Sequence, residues 1–218
     1  MLHYIAVISL LTAGICAVII AGDILAGNRQ QMMIMNFVYP LTALYAGPLA
    51  LIFYYRTGRK GAEQGSMMIK KPFWQSVVIG TLHCGSGCTL GDLLAELLLF
   101  FLPVTIFGSE LAGSWTIDYI FAFIIGIIFQ YYSIKPMKNL SPGVALKAAL
   151  KADALSLTSW QLGMYGWMAI SLFLIFDRLI PTTDPVFWLM MQAAMLLGFI
   201  TALPVNWWLL KKGIKEAM

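Results

Sequence analysis

The chain has 218 residues, of which 60% are hydrophobic and only 11% charged, with a mean hydropathy of +0.82. Soluble domains carry about a quarter charged residues, so a soluble globular protein is excluded. The net charge of +4 follows from lysines clustered at span ends and gives no argument for nucleic acid.

Apolar runs of about 20 residues suit a bilayer core of about 30 Å, and six are read, at 4–26, 34–55, 73–106, 116–134, 152–176 and 185–210. Connections are short, so residues 1–218 form a single integral membrane domain. The fold class predicted is an all-α polytopic membrane helical bundle of about six transmembrane helices.

The first span has no Lys or Arg ahead of its apolar run and ends at Asp23, which argues against a cleaved signal peptide. The second contains Pro40 and Pro48, residues that kink helices and expose carbonyls. The third, 73–106, has 34 residues, about 51 Å as one helix. That length overshoots the hydrocarbon even with tilt. Gly85-Ser86-Gly87 is its weakest helical stretch, and Thr89-x-x-Asp92 follows as a pattern able to cap a new helix. The third span is therefore expected to be broken or kinked at His83–Cys88, roughly 16 Å past its first boundary and near the midplane. Between Pro142 and Lys151 the run GVALKAALK reads as an amphipathic helix on the membrane surface ahead of span five.

Twelve Lys and Arg residues fall in the 2–3 loop, the 4–5 connection and the C-terminal tail, against Arg29 and Arg178 on the other side. By the positive-inside rule both termini are expected to be cytoplasmic, in the cell's inner (cytoplasmic) membrane. Asp153 follows two lysines at that edge and reads as the partner of one of them. Aromatics such as Trp74, Trp115 and Trp207 lie near span ends, as an interfacial belt does.

The chemistry concentrates in 82-LHCGSGCTLGDLLAE-96. Ionisable groups in lipid are costly and usually functional. Cys84, Cys88, Asp92 and Glu96 are spaced i, i+4, i+8 and i+12 and follow one slowly drifting helix face. Two thiolates and an imidazole suit Cu(I) or Zn(II) better than Mg(II) or Ca(II). The metal-ligand candidates are therefore His83, Cys84, Cys88 and Asp92, with copper, or zinc, as the ion. His83 points about 100° from Cys84 on a regular helix and joins them only where the backbone is irregular. Thirteen methionines would offer thioethers, although Met is ordinary packing in a span. The glycines have a second reading, as sites of close helix packing. Asn36, Gln130, Ser156, Thr158, Gln161, Gln192 and Asn206 add polar groups inside the spans.

The runs HCGSGCTLGD, ALKADALSLTSWQLGMYGWMA, PVNWWLLKKGIKEAM and MNFVYPLTALYAGP resemble a prokaryotic membrane family catalogued as domain of unknown function 4396. The resemblance implies a compact helical membrane domain, with His83, Cys84, Cys88, Gly91 and Asp92 as motif positions. It implies no activity.

Two function classes follow, with a third behind them. The first is a carrier of a soft transition metal, most of all Cu(I), with Asp92 or Glu96 as an exit or proton-linked step. Its partners would be the lipid bilayer, the metal ion, and a metal-donor protein or a second copy in a homo-oligomer. The second is a thiol-disulfide redox protein cycling Cys84 and Cys88, and the third a structural or assembly protein. A bis-histidine haem enzyme is the poorest idea, since the one other histidine is the distant His3.

Overall fold

The computed structural model describes residues 1–30, 32–59, 72–138 and 140–216, without the side chains of 136–138. Lys60, Lys70, Lys71 and the pair Met67-Met68 lie outside the described residues. The described elements are helical: α1 (Leu2–Leu25), α2 (Met35–Ala46), α3 (Pro48–Phe53), α4 (Phe73–Phe101), α5 (Glu110–Lys138), α6 (Pro142–Ile170) and α7 (Pro185–Lys211). Wider π-helical turns follow α3 at Tyr54–Gly58 and α6 at Ser171–Ile175.

Four helices among the described residues are long and apolar enough to cross a membrane: α1, α4, α5 and α7. Their outward faces are apolar too, as on α1, where Ile8, Leu11, Ile15 and Val18 are all exposed. In water that arrangement is costly; in hydrocarbon it is the solvent-facing side of the protein.

α4 runs through the middle. From Ile79 to Thr89 every residue is buried, so three turns are covered on all sides. This corrects the expected break: the helix is continuous across His83–Cys88. It ends at Phe101, and its 29 residues make about 44 Å, the full bilayer including headgroups. Thr89 caps no new helix, since its hydroxyl donates back to the Gly85 carbonyl at 2.8 Å.

The glycines serve approach instead. A Cβ on Gly87 would stand 2.7 Å from the Gly126 Cα, and one on Gly91 would run into the Ala122 backbone. Gly87 and Gly91 on α4 thus meet Ala122 and Gly126 on α5 as paired small-x-x-x-small faces. Gly85 leaves its space to the Trp160 indole of α6. Packing on all faces outweighs the helix-propensity penalty of about 1 kcal/mol per glycine.

The second predicted span is not one helix. Gly47 adopts φ +50°, which its missing Cβ permits, and Pro48 starts α3 with its φ already helical. The chain turns back there. Tyr39 and Tyr54 pack ring to ring at 5.2 Å, and Gly58 lies against the Tyr39 ring. A straight helix would hold residues 39 and 54 about 22 Å apart. α2 and α3 are a helical hairpin whose tip reaches α7, where Gln192 Nε2 donates to the Leu44 carbonyl at 2.8 Å. Its open end lies beside the end of α1, with Tyr54 Oη donating to Asp23 Oδ2 at 2.7 Å and Arg59 3.7 Å from the same carboxylate.

That reversal moves the N-terminus. His3 sits 3.7 Å from Asp184 at the start of α7, whereas Lys215 lies against Gly80 near the start of α4. The two termini are therefore at opposite ends of the bundle, correcting the expectation of a shared side. The end holding Lys215 also holds Arg29, Arg56, Arg59, Lys135, Lys147, Lys151, Lys211 and Lys212; the other holds Arg178. The expected surface helix is no separate element either, because GVALKAALK is the first part of α6.

Candidate functional site

A polar column follows α4 from end to end. At the Lys-rich end, Lys215 is fully buried. Its Nζ donates to Asp153 Oδ1 at 2.5 Å, Asn206 Oδ1 at 2.8 Å and the Gly80 carbonyl at 3.2 Å. Asn206 Nδ2 donates to Ser156 Oγ at 2.6 Å and to the Ala202 carbonyl at 3.0 Å, which aims its oxygen at the ammonium. One turn further along α4, His83 Nε2 lies 2.9 Å from Ser133 Oγ on α5 and the ring packs edge-on to Phe129. Gln130, one turn before Ser133, is buried with neither amide atom partnered among the described residues.

Cys84 and Cys88 follow at mid-helix. Both are free and 0% exposed, and each thiol has the other as its neighbour. They belong to a core cluster with Trp160, Met164, Met191 and Met195. Met195 Sδ lies 3.9 Å from the Thr89 hydroxyl oxygen. His83 is turned to α5, so an unbroken helix leaves it apart from the thiols, as regular geometry requires.

Beyond the cysteines the column becomes acidic. Asp92 Oδ1 accepts from Gln161 Nε2 at 3.3 Å, while Asp92 Oδ2 and Gln161 Oε1 are buried without a partner. Ser114 Oγ stands 3.4 Å from both Glu96 Oε1 and Asp118 Oδ2, and its single proton serves one of them at a time. Asp118 Oδ1 has no partner. Asp92 opens onto a cavity of about 250 Å³ beside the hairpin tip, lined by Tyr45, Thr89, Met191, Gln192 and Met195 among others. Glu96 and Asp118 border a second cavity of about 30 Å³, roofed by the stacked pair Trp115–Tyr165. The smaller is large enough for a water molecule.

Among the described residues no three His, Cys, Asp or Glu side chains converge on one point where a metal ion could sit. Of the four ligand candidates, Cys84 and Cys88 are together, Asp92 is one turn beyond them, and His83 faces another helix.

Asp118, Ser114, Ser133 and Lys215 escaped the reading of the sequence. A carboxylate inside a predicted span is itself a signal, which picks out Asp118. In the sequence Lys215 reads as a cytoplasmic tail charge, and nothing local to it announces burial. Asp153 does pair with a lysine, but with Lys215 rather than its own neighbours.

Fold and column together define a helical membrane protein with a buried polar track. The model of the family described as Domain of unknown function (DUF4396) matches residues 73–215, and the chain belongs to that family. The match takes in α4 to α7 and ends on Lys215, while the stretch 35–48, which also carried the resemblance, lies outside it. No curated protein and no solved structure matches the chain.

Proposed function

We propose that this protein binds Cu(I) between Cys84 and Cys88 and passes it along the carboxylates of α4 through the cytoplasmic membrane. The carrying observation is the pair of adjacent, fully buried thiols at the midpoint of an unbroken helix. A thiolate–metal bond is about 2.3 Å, so one ion bridges sulfurs up to about 4.6 Å apart. A disulfide instead needs Cβ atoms about 3.5–4.5 Å apart, against about 5–6 Å for residues four apart on a helix. The continuity of α4 thus favours a bridging metal over the redox reading. Met191 and Met195 belong to the same core cluster as the thiols, and thioethers are soft ligands of the kind Cu(I) takes.

Metal binding to two thiols releases two protons; Asp92 stands one turn away to receive one, and Glu96, a turn further along α4, to receive the other. Glu96 and Asp118 continue the anionic track to the end bearing His3 and Asp184. In this proposal α1, α4, α5, α6 and α7 cross the bilayer and α2–α3 is re-entrant. Backbone reversal inside a membrane is tolerated where protein covers it; Tyr45 and Gly47 are buried at the tip, while Pro48 and Leu49 are exposed. The positive-inside rule puts the Lys-rich end and the C-terminus in the cytoplasm and the N-terminus outside. A metal-donor protein, or a second copy of the chain, would complete the system.

The test is metal content by mass spectrometry on purified protein, with parallel thiol titration. One copper per chain is expected, lost in Cys84→Ser/Cys88→Ser and kept in His83→Ala. Metal-free protein with a reversible disulfide would establish the redox alternative, and inert free thiols would leave only a packing role.

A further inference from the structure

The Lys-rich end of the column holds a second site of different chemistry. We infer that Asp153, Asn206 and the Gly80 carbonyl form an alkali-cation site, which the chain's own Lys215 fills as a tethered ammonium. The inference goes beyond copper binding and does not depend on it.

The donors are a carboxylate, an amide oxygen and a backbone carbonyl at 2.5, 2.8 and 3.2 Å from Nζ. These are the hard oxygen ligands that sodium and potassium take, and none is a soft donor of the kind the thiol pair offers. Two of the three donors are held by partners other than the occupant: Asn206 by Ser156 and the Ala202 carbonyl, and Gly80 by continuous α4. Asp153 and Asn206 are each 0% exposed. Among the described residues Asp153 Oδ2 is buried without a partner, one ligand oxygen more than the ammonium uses.

The occupant arrives on a turn. α7 ends at Lys211, and Gly213 adopts φ +66°. Ile214 N–H reaches back to the Leu209 carbonyl and Gly213 N–H to that of Leu210, each at 3.0 Å, the paired bonds of a glycine-terminated helix end. The turn is local and closes without any other helix, so the tail can leave the shell while α7 stays intact. An alkali cation entering from the cytoplasmic end then competes with Lys215 for the same oxygens, and its binding releases the tail.

The full-length protein in lipid nanodiscs tests this in sodium, potassium and choline chloride at equal concentration. Lys215→Ala empties the shell but keeps Asp153. Its melting temperature should rise in sodium or potassium over choline by a saturating shift of about 2–4 °C. Wild type and Lys215→Ala/Asp153→Asn should melt alike in all three salts. In wild type, amide hydrogen exchange at Ile214–Glu216 should quicken with alkali chloride and not with choline chloride, a measurement that needs no variant. Equal melting of Lys215→Ala in the three salts overturns the site, as does an equal gain in the double variant. Where Lys215→Ala cannot be purified, salt-independent tail exchange in wild type overturns it. The same alkali response is expected with Cys84→Ser/Cys88→Ser, so failure here is separable from failure of the copper reading.

Discussion

The two ends of the α4 column bury carboxylates in opposite ways. At the Lys-rich end Asp153 has a lysine ammonium at 2.5 Å and a fixed amide beside it. At the far end Asp92, Glu96 and Asp118 share one serine hydroxyl and one glutamine amide, and three buried side-chain oxygens there lack a partner. A buried charge is tolerable when paired, and an unpaired one must attract a proton or an ion. The first end therefore carries a positive charge supplied by the chain itself, and the second has none of its own and is built to take up something positive.

Breaking the balanced end should cost most. Lys215→Met in choline chloride leaves Asp153 without its ammonium, and a loss of about 3–5 kcal/mol is expected, read as a lowered unfolding midpoint in nanodiscs. Adding Asp153→Leu to it should return most of that stability, since replacing both ions of a buried pair by apolar groups is often neutral. No return would mean that the tail is held by something other than this pair.

At the acidic end the effects should be smaller and of mixed sign. Gln161→Leu takes the donor from Asp92 and should cost about 1–3 kcal/mol in the same unfolding measurement. Asp118→Asn, which removes a carboxylate from among like groups, should leave the midpoint unchanged or raise it by about 1 kcal/mol, while weakening copper passage into vesicles. A loss of stability comparable to Lys215→Met would erase the contrast between the two ends. Ser114→Ala removes two 3.4 Å contacts and should cost the least, about 0.5 kcal/mol.

Part of this contrast was legible without coordinates. The spacing of Cys84, Cys88, Asp92 and Glu96 places them along one face of a helix whatever its neighbours, and the cost of charge in lipid marks that face. In the sequence that helix reads as broken because residues 102–106 count into the span and propensity is placed ahead of the close packing that the glycines also allow. Gly87 and Gly91 are stabilised in a helix by Ala122 and Gly126, a partner face some 35 residues away in the chain.

Composition and charge determined by themselves that this is a helical membrane protein with a polar stripe inside its third apolar run and lysines gathered between the runs, because hydrophobicity and charge act on each residue separately. Tertiary structure alone decided that residues 35–58 double back, that the termini part company, and that Lys215 is an internal ion. Each of these depends on contacts between distant segments: Tyr39 with Tyr54 and Gly58, His3 with Asp184, and the tail ammonium with oxygens from α4, α6 and α7. No local pattern carries such contacts. They arise when buried polar groups must find partners within the protein because lipid offers none.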